Sequence, residues 1–272
     1  MIKQRCRKLR ARGFSIGEIA HRIHVSESTV HWHVKDINLT SIQVERIRQR
    51  KRILMQRINA KRRGKPVLPV VFCRPRWSLA LVHLIAHLTF DGRIDRYSCH
   101  YYSRSHSEAL HVKFALQRLL HVTPTMRLKV NGIWIVSYYN VEVAAWLLNK
   151  EQELLQKVSR HGIWQVVWLK ALFDDEGHVH ISKGIRRVRA SQDNPVVLNR
   201  ARKFLKAIGI RSRIDHRARA IEIAGRNNLF LFQQHINFSP GLTINARRKN
   251  GLWSDPFKKR QLLRRALRTY AL

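Results

Sequence analysis

LIAHLTFDG at residues 84–92 and LKALFDDEG at residues 169–177 are the two stretches that decide the fold. Each closes an apolar run on an acid followed by glycine: residues 77–90 run into Asp91 and Gly92, residues 166–175 into Glu176 and Gly177. Up to that stop the pattern is helical; after it, period-two alternation over 93–98 and over 178–182 is that of a strand. Working outward, amphipathic helices are expected over 107–120 and 195–208, and strands over 126–130 with 133–137 and over 212–216 with 220–223. Short helices over 141–149 and 227–235 complete the units. The order helix, two strands, helix, two strands, helix thus comes twice. The expected fold class is α+β, with two αββαββα repeats at 78–150 and 151–272 related by a pseudo-twofold axis, the second ending in a basic helix.

Two helices side by side at the centre of such a molecule need small residues for close backbone approach, and Ala86 and Ala171 occupy matching places. The helix ends then bring Asp91 and Glu176 together. Two carboxylates at one site repel unless a cation lies between them, which implies Mg²⁺ or another hard divalent ion. Such an ion polarises a scissile phosphate and lowers the pKa of an attacking water, so the implied reaction is phosphodiester hydrolysis. A lone Asp-Gly more often only solvates a helix end; recurrence at equivalent repeat positions favours the metal. Asp174 and Asp175 are expected to support Glu176 or to lie at the surface. His83 and His87, at i, i+4 spacing, suit a zinc pair, but no third ligand is in reach by sequence, so they are expected to be helix-face histidines.

Composition points to the partner. The chain has 272 residues, 44% of them hydrophobic, which supports a real core; Lys plus Arg is 53 against 17 Asp plus Glu, a net charge of +36. That far exceeds what solubility requires and calls for a polyanion. Nucleic acid is favoured over an anionic membrane, because the basic residues run through folded segments instead of forming one amphipathic surface helix. Cys6, Cys73 and Cys99 form neither a disulfide framework nor a zinc knuckle. A reducing, intracellular setting is expected, the cytoplasm or nucleoid of a prokaryote or an organelle. No stretch approaches the ~20 apolar residues that span a bilayer, and no secretion signal is read at the N-terminus.

Residues 1–42 read as three short helices, with Ser15 capping the second, Glu18 at its capping-box position and Ser26 capping the third. GFSIGEIAHRIHVSESTVHWHVKDINLT resembles the helix-turn-helix family, although His24 stands where many members use glycine. The resemblance implies that the third helix presents Ser28, Thr29 and His31, with Glu27 and Trp32, to a DNA groove. Residues 43–77 read as a basic linker whose first half can be helical and whose Gly64, Pro66, Pro69 and Pro75 prevent continuation. It either follows DNA phosphates or is a solvated connector.

The two nonapeptides look like copies of the LAGLIDADG motif, and IEIAGRNNLFLFQQHINFS at 221–239 is similar to the ending of such repeats. From 78 to 259 the chain therefore resembles the double-motif, monomeric LAGLIDADG homing endonucleases, here with an N-terminal helix-turn-helix. The resemblance implies a DNA-binding saddle and a metal site shared by Asp91 and Glu176, which cuts both strands across the minor groove. Phe90, His87 and Lys170 depart from the motif's small and apolar residues. Lys258 and Lys259 resemble the lysine that follows such endings, as a catalytic group; phosphate contact by the C-terminal helix is the other reading.

An antiparallel sheet face can read the major groove. In the second repeat Val179, Ile181, Ile185 and Val188 are expected toward the core, leaving His178, His180, Arg187 and Arg189 outward, with Arg211, Arg213, Asp215 and Glu222. In the first repeat the outward set is Arg93, Asp95, Tyr97, Arg127 and Lys129. The leading reading is a monomeric, Mg²⁺-dependent, site-specific double-strand DNA endonuclease, free-standing or intron-encoded, since the terminal His-Asn of an intein is missing. The alternatives are an intron RNA-splicing maturase, a catalytically silent DNA-binding regulator, and a basic ribonucleoprotein scaffold, for which paired motif acids have no use.

Overall fold

Ser15 Oγ accepts the backbone N–H of Glu18 and the Glu18 carboxylate accepts that of Ser15, the reciprocal cap that starts the second helix of the chain. The computed structural model describes residues 2–63, 71–182, 184–244 and 257–270, and divides into two units, Met1–Pro69 and Val70–Leu272. In the first unit, α1 (Ile2–Ala11), α2 (Ile16–Ile23) and α3 (Glu27–Val34) enclose Cys6, Ile19, Ala20, Val30 and Val34. Ser26 caps α3 through the N–H of Thr29. Between α2 and α3 the chain turns through His24 at φ 55, a left-handed conformation that a glycine would take with less strain. The helix expected in the first half of the basic segment forms as α4 (Ser41–Arg63). It belongs to this unit: Gln43 Nε2 donates to Ala11 O and Arg50 NH2 to Gly13 O, while the Arg50 guanidinium lies over Phe14. Residue 42 is therefore no structural boundary. Gly64, Pro66 and Pro69 lie outside the described residues.

The second unit runs α5 (Leu79–Phe90), β1 (Gly92–Ile94), β2 (Ser98–Ser103), α6 (His106–Leu120), β3 (Thr125–Leu128), β4 (Trp134–Tyr139) and α7 (Val141–Val158). It then repeats the order as α8 (Gly162–Glu176), β5 (Gly177–Ser182), β6 (Ile185–Ser191), α9 (Pro195–Ala207), β7 (Arg213–Asp215), β8 (Ala220–Ala224) and α10 (Arg226–His235), followed by α11 (Lys259–Arg268). Two antiparallel sheets have matching orders, β1-β2-β4-β3 and β5-β6-β8-β7. The registers match too. Arg93, His100, Ser137 and Thr125 form one row across the first sheet; His178, Arg189, Glu222 and Arg213 form its counterpart in the second. The α+β class and the doubled αββαββα order are as expected.

Three boundaries differ from expectation. α7 continues to Val158 because Leu154 and Val158 prolong the buried stripe of Leu147, so residue 150 falls inside a helix. α8 begins at Gly162, a turn early. The strand expected over 93–98 is a hairpin, because the Asp95 carboxylate accepts the backbone N–H groups of Tyr97 and Ser98 and turns the chain there.

α5 and α8 are apolar on nearly all sides because both are covered on nearly all sides. They pack on each other more extensively than any other helix pair, with Ala86 and Ala171 fully buried. One face of each sheet is also covered. Tyr101 and Val136 in the first, and Val188, Ala190, Ile221 and Ile223 in the second, are buried on the helical side; the opposite faces carry the polar rows.

Candidate functional site

Gly92 and Gly177 show how each motif ends. A Cβ on Gly92 would come within 2.3 Å of Leu88 O and 2.8 Å of His100 O; on Gly177 it would come within 2.2 Å of Phe173 O. Only a residue without a side chain lets the strand leave against the last helical turn. Asp91 and Glu176 are thereby fixed just before the glycines, at the ends of two helices packed on one another.

The electrostatics of Asp91 show that carboxylates gather there. Burial, reinforced by the negative charges of Asp175 and Glu176, pushes its carboxyl up to about 7, against the opposing pull of Lys259 and His87. Among the described residues no group of three or more His, Cys, Asp or Glu is disposed to hold a metal ion. A divalent ion here would draw two hard oxygen donors from the protein and complete its shell from water and phosphate, the habit of Mg²⁺. The donor chemistry fits such an ion, and the raised carboxyl is the state that a nearby cation relieves.

Asp174 and Asp175 are not surface groups. The Asp174 carboxylate is buried, accepting Ser239 N at 2.7 Å and Ser239 Oγ at 2.6 Å, with Lys170 Nζ at 3.3 Å. Asp175 accepts Tyr101 OH at 2.8 Å and pairs with His87 Nδ1 at 2.8 Å. His87, a polar departure in one motif helix, is thus answered from the other motif helix by Asp175. Burial pushes the His87 imidazole down, but Asp175, with Glu108 and Asp174, outweighs it and raises the value to about 9. His83, held down at about 2 by burial and by His87, is neutral and receives the second His87 N–H at 3.2 Å. The two rings lie within hydrogen-bonding distance, and among the described residues no group of three or more His, Cys, Asp or Glu that could hold a metal ion is found. Phe90 packs edge-on against Trp168, so its bulk fills space beside α8.

The structure separates the two candidate lysines. Lys259, the first residue of α11, is buried; its Nζ donates to Asp174 O at 2.7 Å and lies over the Phe238 ring. Burial lowers its pKa, opposed by Asp174, Asp175 and Asp91. Lys258 is exposed at the helix start, paired through its backbone with Thr243. Lys259 belongs to the acidic cluster and Lys258 does not. Sequence reasoning also missed Tyr101, Glu108 and Ser239; an acid in the first turn of α6 and a tyrosine inside a strand carry no local signal that they meet.

Of the expected outward residues, His178, His180, Arg187, Arg189, Arg213 and Asp215 lie on the polar side of the second sheet, as do Arg93 and Arg127 in the first. Lys129 and Arg211 are exposed just outside their strands. Two acids are already engaged: Asp95 is tied into its turn, and Glu222 is buried beneath arginines. Tyr97 is exposed in the same turn. Ile185 is exposed on the side of Arg187, whereas Arg186 points to the helices, bonding Thr269 Oγ1 and covering Tyr270. Ile185 is expected toward the core on its apolar character, and the structure places it on the open face instead. His100 was missed; its ring is held between Ser98 Oγ and Ser137 Oγ, both at 2.9 Å. In the first unit Ser28, Thr29, His31 and Trp32 are exposed on α3.

The arrangement is a two-repeat α+β fold with one acid from each repeat at the junction of its central helices. Residues 164–237, the second repeat from α8 through α10, match the family model of the LAGLIDADG-like domain. Among solved structures the chain is similar to the homing endonuclease I-DmoI in complex with DNA and Mn, at 17% identity and TM-score 0.45, covering 58% of this chain and 96% of that one. It is also similar to full-length DUF199/WhiA from Thermatoga maritima, at 15% identity and TM-score 0.47, covering 62% and 59%. The N-terminal LAGLIDADG domain of DUF199/WhiA aligns at 18% identity and TM-score 0.45, over 61% and 88%. No curated protein matches the sequence. Among the described residues no helix is long and apolar enough to cross a membrane.

Proposed function

We propose that the second unit is a site-specific double-strand DNA endonuclease that hydrolyses phosphodiester bonds with a divalent metal ion. The observation that carries this reading is the convergence of Asp91 and Glu176 from equivalent helix ends, close enough that Glu176 helps to raise the Asp91 carboxyl. An ion held there would polarise the scissile phosphate and activate water. The protein's own part is positional. Gly92 and Gly177 fix the two acids, the His87–Asp175 pair anchors the residue before Glu176, and Lys259 supplies a buried positive charge to offset that of a pentavalent phosphate. The polar faces of the two sheets, with Arg93, Arg127, Arg187 and Arg213, hold the duplex. In the first unit α3 is the second DNA-contacting element, through Ser28, Thr29 and His31.

The test is incubation of the full-length protein and Mg²⁺ with a plasmid carrying the uninterrupted host locus. Linear product from the parent chain, and none from Asp91→Asn or Glu176→Gln, is expected. Intact plasmid with the parent chain, or equal cutting by the variants, would sink the nuclease reading. Tight duplex binding without cleavage would then mark a DNA-binding regulator, and tight binding of intron RNA a maturase.

A further inference from the structure

Glu222 stands on the open polar face of the second sheet, yet its side chain is only 3% exposed because three guanidinium groups close over it. Arg213 donates from Nε at 2.9 Å and from NH2 at 2.8 Å to Oε2; Arg187 NH1 lies 2.8 Å and Arg189 NH1 3.4 Å from Oε1. Strand register builds this clamp, since Arg189 and Arg213 are the cross-strand neighbours of Glu222. Neutralising one buried carboxylate needs one arginine, and here there are three.

The three are not equivalent. Arg187 and Arg189 side chains are 22% and 16% exposed, and Arg189 also reaches Asp215 at 3.6 Å, so both are committed to the sheet. The Arg213 side chain is 74% exposed. Its Nε–NH2 edge is held by Glu222, which leaves NH1 and the outer hydrogen of NH2 for a partner. A guanidinium fixed along one edge presents a planar pair of donors with little rotamer entropy left to lose. Among base-pair edges in the major groove, guanine offers the matching pair of adjacent acceptors, O6 and N7. The corresponding row of the first sheet, Arg93, His100, Ser137 and Thr125, has no carboxylate and no such clamp.

Resting on the duplex-DNA reading above, we propose that Arg213 is a specificity-determining residue that reads guanine, and that Glu222 is its positioning residue. The guanine preference then belongs to one half-site, and the target is asymmetric.

The experiment is selection of bound duplexes from a randomised pool, in EDTA, with the full-length parent chain and two variants. The parent pool should carry guanine at fixed places in one half. Arg213→Ala, a change at an exposed side chain, should erase guanine at one or two adjacent positions, with discrimination there falling about tenfold or more and the rest of the site unchanged. Glu222→Gln should blur the same positions while raising affinity for unselected duplex, because a negative charge leaves the face; a merely structural role would lower both. An Arg213→Ala pool identical to the parent's, or a Glu222→Gln pool with undiminished guanine, overturns the assignment alone. A parent pool with no enriched sequence overturns it together with the site-specific reading.

Discussion

His87 Nδ1 lies 2.8 Å from Asp175 Oδ2 with both side chains sealed from solvent, so the two central helices are joined by one buried ion pair contributed half by each repeat. Removing one partner strands the other as an uncompensated buried charge. His87→Ala should therefore destabilise the second unit by about 3–5 kcal/mol. His87→Leu combined with Asp175→Ala, which removes both charged groups together, should recover most of that loss. Urea unfolding of the singles and the double decides it; additive losses would show that the pair is not coupled.

Asp91 gives a pH signature. Its carboxyl is raised from 3.8 to about 7, so the favourable contribution of the protonated form to folding is complete below 3.8 and is lost as pH rises through 7. Asp91→Asn is neutral throughout. Its melting temperature in EDTA should gain steadily on the parent's between about pH 4 and about pH 7 and level off above. Added Mg²⁺ should stabilise the parent and not the variant. A pH-independent difference would remove Asp91 from the acidic cluster.

Lys259→Met keeps the length of the side chain and removes its charge. The rate of DNA cleavage at saturating protein should fall about a hundredfold, as for other lost transition-state donors. Duplex affinity measured in EDTA should be nearly unchanged, since the amine is buried. A loss confined to affinity would make Lys259 a phosphate contact instead.

Gly177→Ala places a Cβ within 2.2 Å of the Phe173 carbonyl oxygen. The backbone must shift, at a cost of about 1–3 kcal/mol, and Glu176 moves with it. Both the melting temperature and the cleavage rate should drop. Gly162→Ala, where an added Cβ meets nothing within 4 Å, is the matched control and should be neutral or better.

In the first unit, His24→Gly relieves a left-handed β-carbon at the turn between α2 and α3. Stabilisation of about 0.5–1 kcal/mol is expected after the entropy of glycine is counted. Slower hydrogen exchange of the Val25 amide, which bonds Ala20 O, would report it.

Much of this was legible in the residues themselves. Asp-Gly and Glu-Gly after apolar runs marked both motifs, period-two alternation marked most strands, and Ser15 with Glu18 announced a helix start that the structure reproduces atom for atom. The hairpin at Asp95 was read as one strand because a side-chain turn inside an alternating stretch leaves the alternation intact. Ile185, expected toward the core, faces out because a strand end beyond the sheet's cover can expose an isoleucine, while the neighbouring Arg186 lays its guanidinium over Tyr270.

What the sequence determined by itself was local and periodic: where helices stop, which residues alternate, that the pattern comes twice, and that the chain is far too basic to lack an anionic partner. The tertiary structure alone decided which departures from the pattern compensate each other and which charged groups remain available. His87 and Asp175, Glu108 and the acidic cluster, Lys259 and Asp174, and Glu222 and its arginines are pairings across the fold. Their energies depend on distance and burial, which are set only when separate elements pack, so no window of the chain contains them.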